Sequence, residues 1–559
     1  MPGGESEAPD PRRWFVLAIV VASAFFVTLD NSVLTVAIPT ILREFHTNLP
    51  SLQWVISGYA LVFASLLIIG GRLGDLYGHR PTFMIGAAIF GAGSLLASVS
   101  SSVPELFVGE ALIEGIGAAL MLPATLALLS NNFRGHERAI AFGAWATVGG
   151  ATVALAPFIG GYLTTYHSWR WAFRINVIVA PIVIVGTLLL VRRGDETGTR
   201  ERLDVPGATL VALGMFLVVF GIIEGSTYGF ITPVRDLTLL GVQWPSWSPV
   251  SIVPLAFALG LVTLAGFYAL ERVKERRRDD PLFEFGLLRH RRLRYGLLTA
   301  LVLTMGQFGL FFVLAVVLQE GKGLSAVDTG LWLLPAGLFV VIGSQVGARL
   351  TRRFGVVRIV RIGMFVEALG LLYVALVVSV DVEFVTLVPG FVAYGLGLGF
   401  AAAQITNVAM SDVSHDKAGV AGGANSTVRQ VGSALGIATL GSLLTTITIR
   451  NAIQKVRTSE LASTVKTDAI ERLHERGVNF SPPRGRSAAS LGEIFRSAVS
   501  SGARPALLFA AGVVALGAVI ARMIPEVDAA TLRMDEGAVE AMTLTADLNI
   551  DVRSAVEPR

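Results

Sequence analysis

The sequence predicts an all-helical integral membrane protein with fourteen membrane-spanning helices, arranged as two six-helix bundles and two inserted helices. Three observations support this fold class. Hydrophobic residues make up 53% of the 559 positions and charged residues only 15%, against about 25% charged residues in average soluble domains. The apolar residues fall in runs of about 18 to 25, the length that crosses the hydrocarbon core as a helix. One segment also returns later in the chain, which indicates a duplicated unit.

Each long apolar run is assigned to one span. The first run, which starts at Trp14, is too long for a cleavable signal peptide and has no small-residue cleavage site. The chain has no cysteine, which excludes disulfides, thiol catalysis and zinc–thiolate sites. The predicted spans are 14–38, 52–69, 82–101, 104–130, 139–163, 172–191, 205–225, 250–270, 295–319, 328–348, 359–379, 384–410, 419–445 and 503–524.

The distribution of arginines predicts the orientation in the membrane. Arginines concentrate in alternate loops, as at Arg72 and Arg80, whereas the intervening loops carry scattered single charges such as Arg43. Because positive loops stay inside, both termini are expected in the cytoplasm, and the net charge of +4 needs no nucleic-acid partner. The predicted units are a tail at 1–13, an N-terminal bundle at 14–192, an inserted unit at 193–294, a C-terminal bundle at 295–524 and a tail at 525–559.

The loop 446–500 is the exception to this charge pattern, because it mixes basic and acidic residues. Loops of this length cross the membrane largely regardless of charge, so the loop is placed outside. An amphipathic cap on the membrane surface is the favoured interpretation, and a substrate-binding role is the alternative.

An internal repeat links the two predicted bundles. GGRLGDLYGHRPTFMIG (70–86) aligns without gaps with GARLTRRFGVVRIVRIG (347–363), 277 residues later. Gly78 falls on Gly355 and Gly86 on Gly363. In both copies the segment joins two consecutive spans on the cytoplasmic side. Repeated halves of this kind are typical of secondary transporters, whose binding site lies at the midplane between the halves.

Five motifs resemble those of the fourteen-helix drug:proton antiporter branch of the major facilitator superfamily. They are GGRLGDLYGHR (70–80), LDNSVLTVAIP (29–39), APFIGGYL (156–163), SWRWAFRINV (168–177) and AGVAGGANSTVRQVGSALGIA (418–438). The resemblance covers roughly residues 14–445 and implies the major facilitator fold and multidrug efflux driven by protons. It assigns a cytoplasmic gate motif to Gly71, Arg72, Asp75, Gly78 and Arg80, and an antiporter motif to Pro157, Gly160 and Gly161.

The chain departs from the patterns of this family in three places. In the fourth span, the arginine credited with proton coupling is absent and Glu114 stands where glutamine is usual. Thr35 replaces an asparagine of the first-span motif, and Thr152 and Ala156 replace glycines of the antiporter motif. These departures bear on the details of coupling and leave the prediction of transport unchanged.

Four carboxylates inside the predicted spans are candidates for binding protons or substrate, because ionisable groups are costly in a membrane. Asp30 lies in the outer part of the first span; a structural hydrogen bond is its alternative role. Glu110 and Glu114 share one face of span four, where two close carboxylates disfavour joint ionisation. Alternatively, Glu110 reaches the outer interface and Glu114 bonds a neighbouring helix. Glu367 lies a third of the way into span eleven.

Polar side chains in four spans are candidates for the substrate pocket. Asn425, Arg429 and Ser433 repeat every four residues and form a stripe on span thirteen. Such stripes also hold helices together, so a structural role is an equal alternative for each residue. The candidate pocket residues are Asn31, Gln307, Gln404, Asn407, Asn425 and Arg429.

These observations predict a proton-coupled efflux antiporter of the cytoplasmic membrane that exports amphipathic or cationic organic compounds by alternating access. No phosphate-binding motif, catalytic constellation, metal site or cofactor site is present in the sequence, so an enzyme is not expected. The expected partners are a small organic substrate, protons and the lipid bilayer, with the protein as a monomer. The alternatives are a dedicated exporter of one endogenous lipid or secondary metabolite, and a membrane sensor that does not transport.

The gate motif carries one further prediction. The second copy of the repeat has Arg352 where the first has Asp75. We therefore expect Asp75 to act as a latch that pairs with an arginine or a helix N-terminus of the opposite bundle when the cytoplasmic side is closed.

Overall fold

The computed structural model describes residues 12–133, 135–191, 204–239, 242–277, 279, 281–413, 418–476 and 487–526. Within these ranges the chain is helical apart from one small hairpin and short connections. Most of both predicted tails and the start of the predicted inserted unit lie outside the described residues. The domain boundaries therefore remain predictions.

The first half of the chain forms six long helices. Helix α4 begins at Val103–Leu106, continues as the π-helical stretch Phe107–Glu114, and ends as the α-helix Gly115–Asn132. The other five are α1 (Arg13–Glu44), α2 (Leu49–Tyr77), α3 (His79–Val99), α5 (Gly135–Tyr166) and α6 (Arg170–Leu190).

Two inserted helices and a second set of six follow. A two-stranded antiparallel hairpin, β1 (Leu237–Leu239) and β2 (Val242–Trp244), lies between the inserted helices. Helix α9 (Arg291–Val316) is extended by a π-helical turn at Val317–Gly321. The other helices are α7 (Val205–Tyr228), α8 (Ile252–Arg277), α10 (Ala326–Phe354), α11 (Val356–Val377), α12 (Phe384–Met410), α13 (Ala418–Thr458), α14 (Ser463–Arg476) and α15 (Ala488–Arg522).

Thirteen helices among the described residues are long and apolar enough to span a membrane, namely α1–α4, α6–α13 and α15. The remaining predicted span, 139–163, coincides with α5, a helix of 32 residues whose side chains are described only in part. Several helices run well past their apolar runs. Helix α2 continues from the predicted end at 69 to Tyr77, and α13 continues from 445 to Thr458.

The two halves pack in the same way, which follows from the sequence repeat. In the first half α3 packs against α4 and α6, and in the second half α11 packs against α12 and α15. The halves meet along two seams, between α2 and α13 and between α5 and α10. The inserted helices α7 and α8 pair with each other, and α7 covers the seam between α2 and α13.

A single glycine makes the turn at the centre of each repeat copy. Gly78 has φ +97° and Gly355 has φ +83°, a left-handed region that residues with a Cβ atom rarely adopt. The interval 70–81 between the predicted second and third spans is therefore mostly helical and not an extended loop. Helix α2 includes Gly71 and Arg72, and α3 begins immediately after Gly78.

Much of the segment 446–500 is helical. Helix α13 continues into it, α14 packs on this continuation, and α15 begins inside it at Ala488. Helix α14 is amphipathic, with Ala469 and Leu473 buried against the main core. Residues 477–486 lie outside the described part. We call this end of the molecule the outer end, following the orientation that the arginine distribution predicts.

Candidate functional site

Three carboxylates of the first half are buried side by side. Asp30 on α1 is 4% exposed, whereas Glu110 and Glu114, both in the π-helical stretch of α4, are 1% and 0% exposed. Glu114 lies beside Asp30, and Glu110 is close enough to interact with Asp30 electrostatically. The alternative that Glu110 reaches the outer interface is therefore wrong. The structure brings together three of the four predicted coupling carboxylates.

The hydrogen bonding of this carboxylate cluster is incomplete. Asn176 on α6 donates its side-chain amide to Asp30 Oδ1 at 2.9 Å. Asp30 Oδ2 and all four carboxylate oxygens of Glu110 and Glu114 have no hydrogen-bond partner in the described part of the chain. The hydroxyl of Tyr59, on α2, lies within electrostatic reach of the three carboxylates and donates to the Val27 carbonyl at 3.3 Å. No arginine, lysine or histidine in the described ranges forms an ion pair with the cluster.

The π-helical stretch results from one extra residue in the first half. Gly93 on α3 packs directly against the Gly109 carbonyl and the Glu114 amide, which are five residues apart. The equivalent glycine, Gly370, packs against the Gly390 carbonyl and the Tyr394 amide, which are four residues apart. The α-helical four-residue step of α12 has thus become a π-helical five-residue step in α4. Such stretches are frequent at functional sites.

Each half has one glutamate and one aromatic residue at an equivalent pair of positions, but the two residue types are exchanged between the helices. The backbone of Phe90 on α3 packs against Gly117, and that of Glu367 on α11 packs against Gly397. Phe90 and Glu114 of the first half therefore correspond to Glu367 and Tyr394 of the second. Glu367 is completely buried, interacts with Tyr394 electrostatically, and has no hydrogen-bond partner in the described ranges. The structure does not place Glu367 in the carboxylate cluster of the first half.

The glycines of the antiporter motif pack against helices of both bundles. A Cβ atom on Gly160 would lie 2.7 Å from the Val33 carbonyl of α1, and one on Gly161 would overlap the Ala326 carbonyl of α10. The carbonyl of Pro157 in turn contacts Gly330 of α10. Small residues are therefore required where α5 passes between the bundles, although Thr152 and Ala156, which replace motif glycines, are also buried.

The outer ends of the two bundles are joined by polar contacts. Arg43 at the end of α1 forms an ion pair of 2.8 Å with Glu320, its equivalent 277 residues later. Gln319 donates to the Val36 carbonyl at 2.8 Å, and Gln53 on α2 donates to the Ile437 carbonyl of α13 at 3.1 Å. Together with the contacts of α5, these bonds close the outer end between the halves.

The gate motif is only partly described by the structure. Arg80 donates to the Leu188 carbonyl at 2.8 Å and so caps the end of α6 within its own bundle. In the second half Arg361 donates to the Ala521 and Ile524 carbonyls at the end of α15. The side chain of Asp75 lies outside the described residues, so its latch role remains a prediction.

The candidate pocket residues differ in their surroundings. Gln307, Gln404 and Asn425 are buried, and Asn425 donates to Thr406 at 3.2 Å. Asn407 is exposed and Arg429 is half-buried. Arg429 has no carboxylate partner in the described part of the chain. The side chain of Asn31 is not described.

Three neighbours of the carboxylate cluster were not predicted from the sequence: Asn176, Tyr59 and Ser94. Asn176 belongs to the SWRWAFRINV motif, so a signal for it was present. Glu224 lies one turn before the end of the inserted helix α7. It accepts a hydrogen bond from Trp54 at 2.7 Å and ties the inserted helix α7 to α2.

Two six-helix bundles related by an internal repeat, with buried carboxylates and a glycine-packed seam, are typical of a membrane transporter. Residues 20–437 match the model of the Major Facilitator Superfamily, and the chain belongs to this family. It is a multi-pass membrane transporter and not an enzyme, and members of this family carry small organic substrates across membranes.

Known relatives and solved structures agree with this assignment. The chain is 34% identical to the probable actinorhodin transporter of Streptomyces coelicolor, over 84% of this chain and 81% of that protein. It is 30% identical to the tetracenomycin C resistance and export protein of Streptomyces glaucescens, over 91% of both chains. Its fold is similar to the crystal structure of a bacterial homologue of the human lysosomal transporter Spinster, with a TM-score of 0.62 and 14% identity, covering 92% of this chain and 98% of that one.

Proposed function

We propose that the protein is a proton-coupled antiporter that exports amphipathic or cationic organic compounds across the cytoplasmic membrane by alternating access. The observation that carries this proposal is the buried cluster of Asp30, Glu110 and Glu114, which has no basic partner in the described ranges.

The physical argument concerns the charge of the cluster. An ionised carboxylate away from water is expensive unless it is paired with a cation or fully hydrogen-bonded. Asp30 accepts a hydrogen bond from the Asn176 amide, Glu114 has only Asp30 and Ser94 beside it, and Glu110 has no hydrogen-bond partner in the described part. Protons bound to the cluster remove this cost, and a proton on Glu114 would make it a donor to the adjacent Asp30. The arrangement therefore supports a proton-loaded cluster when the outer end is closed.

Proton movement is coupled to substrate export if the cluster exchanges its protons only when it opens to water. A cationic group of a substrate compensates the same carboxylates, so protons and such a substrate would compete for them. Glu367 and Tyr394 form a separate buried pair in the second half, and we include Glu367 as a second proton-binding group. The remaining candidates for substrate contact are Asn31, Gln307, Gln404, Asn407, Asn425 and Arg429.

The direction of transport is supported by the names of the relatives. One is described as a probable actinorhodin transporter and another as a tetracenomycin C resistance and export protein. Because these names each specify one compound, a dedicated exporter of one secondary metabolite is the second candidate function. Transport of many unrelated compounds by purified protein would favour the multidrug assignment, and transport of one compound alone would favour the dedicated exporter.

The test is substrate efflux driven by a proton gradient in everted membrane vesicles that contain the protein. We expect a protonophore to stop efflux by the wild type. Asp30→Asn and Glu114→Gln should abolish efflux driven by the gradient but preserve exchange of an uncharged amphipathic substrate without a gradient, because such exchange needs neither proton release nor the carboxylate charge. Asp381→Asn and Glu105→Gln, at exposed carboxylates, are the matched controls.

Two results would contradict the proposal. Efflux that continues after the proton gradient is removed would disprove proton coupling. Full gradient-driven efflux by both cluster variants would show that the coupling groups lie elsewhere. Preserved exchange also distinguishes a loss of coupling from a failure to fold.

A further inference from the structure

A second cavity lies away from the carboxylate cluster, at the seam that the inserted helix α7 covers. Its volume is about 340 Å³, within the range of about 300–1,000 Å³ that is usual for ligand sites. Its walls come from α2 of the first bundle, α9 and α13 of the second, and both inserted helices. Leu298, one of the lining residues, is 43% exposed, so the cavity reaches the lipid-facing surface.

The cavity is mainly apolar, with the hydroxyl residues Ser65 and Thr427 and one charged side chain, Arg294, among the residues that line it. The guanidinium of Arg294 donates to the Tyr295 hydroxyl at 2.9 Å and lies 4.6 Å from the centre of that ring. It has no carboxylate partner in the described part of the chain, whereas Arg292, two residues earlier, pairs with Asp412 at 2.5 Å. The half-buried charge of Arg294 therefore leaves room for an anion.

The charged and the apolar parts of the cavity lie at different depths along α9, with Arg294 nearer the end of the helix and the apolar lining deeper. Arg294 lies in the first turn of α9, at the end of the bundle that carries the basic loops. Leu301, which lines the other part of the cavity, is seven residues further along α9, about 10 Å deeper at 1.5 Å per residue. An acidic group at Arg294 would therefore continue into an apolar chain that points toward the bilayer centre.

Two further arginines precede Arg294 closely in the sequence. Arg289 and Arg291 are exposed on the turn before Arg294, and neither forms an ion pair with a described residue. Basic clusters at this depth attract anionic lipid head groups.

The segment that forms the floor of the cavity is held by three carboxylates, of which Asp204 and Glu271 are buried. Asp204 accepts from the Leu282 amide at 3.1 Å, and Glu271 accepts from the Phe283 amide at 2.9 Å. Glu275 accepts from the Gly286 amide at 2.8 Å. These bonds fix Phe283 and its neighbours against α8, so the cavity is preformed.

We propose that this cavity binds an anionic phospholipid of the bilayer, with the phosphate at Arg294 and one acyl chain between α2, α7, α9 and α13. The lipid contacts both bundles and the inserted pair at once. Its binding therefore stabilises the arrangement of the halves in which the cavity exists. This inference does not depend on proton coupling or on the identity of the exported compound.

The test is native mass spectrometry of the purified full-length protein after incubation with phosphatidylglycerol or phosphatidylcholine. We expect the wild type to retain one phosphatidylglycerol in preference to phosphatidylcholine. Arg294→Gln should lower the affinity for phosphatidylglycerol about fivefold, the effect of about 1 kcal/mol per basic group near the membrane surface. Arg522→Gln removes an exposed arginine at the same end and should leave the preference unchanged.

A second pair of variants tests the cavity itself. Val211→Trp on α7 fills the cavity and should remove the retained lipid, whereas Leu213→Trp, at an exposed position that does not line it, should not. An equal preference for both lipids in the wild type would overturn the proposal. So would an unchanged preference in Arg294→Gln, or lipid retention by Val211→Trp at the level of the wild type.

Discussion

Breaking the ion pair between Arg43 and Glu320 should shift the protein toward the state that is open at the outer end. The pair joins α1 to α9 with an N–O distance of 2.8 Å, and its side chains are 53% and 13% exposed. Exposed pairs contribute up to about 1 kcal/mol, and the limited exposure of Glu320 places this pair at the upper end. Arg43→Gln should therefore change the equilibrium between closed and open states about fivefold.

Two hydrogen bonds across the same interface limit the size of this shift. Gln319 still bonds the Val36 carbonyl and Gln53 still bonds the Ile437 carbonyl, so the closed state should remain populated. Arg43→Glu adds repulsion against Glu320 and should produce a larger shift. The double variant Arg43→Glu with Glu320→Arg restores opposite charges and should recover most of the closed population.

Distances between spin labels in lipid nanodiscs measure these populations directly. The chain has no cysteine, so labels at Ser101→Cys and Asp381→Cys attach only where intended. Both positions are exposed at the outer end, one in each half. Identical distance distributions for the wild type and Arg43→Gln would refute the reasoning, as would a double variant that opens as far as Arg43→Glu alone.

Three further predictions follow from the described contacts. Asn176→Ala removes the amide that donates to Asp30 and should reduce proton-driven efflux in everted vesicles more than it reduces substrate exchange. An equal reduction of both would contradict a role in positioning Asp30. Gly78→Ala forces a side chain into φ +97° and should lower the free energy of unfolding by about 1–2 kcal/mol, measured as a lower unfolding temperature in detergent. Gly512→Ala, at a position with open space around it, is the control, and an equal effect of the two variants would refute the argument. Asp204→Asn should lower the unfolding temperature at neutral pH, because Asp204 binds Lys274 and holds the floor of the lipid cavity.

The pH dependence of the Asp204 effect has a definite sign. Burial acts to raise the pKa of Asp204, but hydrogen bonds from Glu271, Lys274 and the Gly207 amide outweigh it and hold the pKa below the ordinary value of 3.8. The stabilisation is therefore complete above pH 3.8 and is lost as the pH falls through the lowered pKa. The difference between wild type and Asp204→Asn should stay constant between about pH 5 and pH 6, where Glu271 keeps the proton that it donates to Asp204, and a difference that already shrinks on acidification to pH 6 would contradict this account.

The fold was predictable because apolar length and repeated motifs are read directly along the chain. The turn between α2 and α3 shows where this reading ends. Hydropathy marks the edge of the membrane and not the end of a helix, so α2 continues through polar residues to Tyr77. The extension of α13 to Thr458 could not be predicted for the same reason, because many of these residues are polar.

The carboxylate cluster was only partly predictable. Asp30, Glu110 and Glu114 were each identifiable because a charge within an apolar run is unusual. Their proximity was not, since it depends on how α1 and α4 pack, and one sequence contains no pairing information. Asn176 was overlooked because an asparagine in a motif resembles a residue that holds helices together.

The extra residue in α4 has a consequence for how the two halves of such a protein diverge. Immediately after a duplication the two halves have the same sequence and the same helix packing. Substitutions alone would leave α4 and α12 in the same register against α3 and α11. The extra residue is accommodated within 109–114, because Gly109 keeps its contact with Gly93 and Gly117 keeps its contact with Phe90. One insertion can thus re-aim Glu110 while the rest of the bundle keeps its packing. Deleting a single residue between Gly109 and Glu114 would return α4 to the geometry of α12. Such a variant would keep the duplicated fold and lose the carboxylate arrangement that the insertion created.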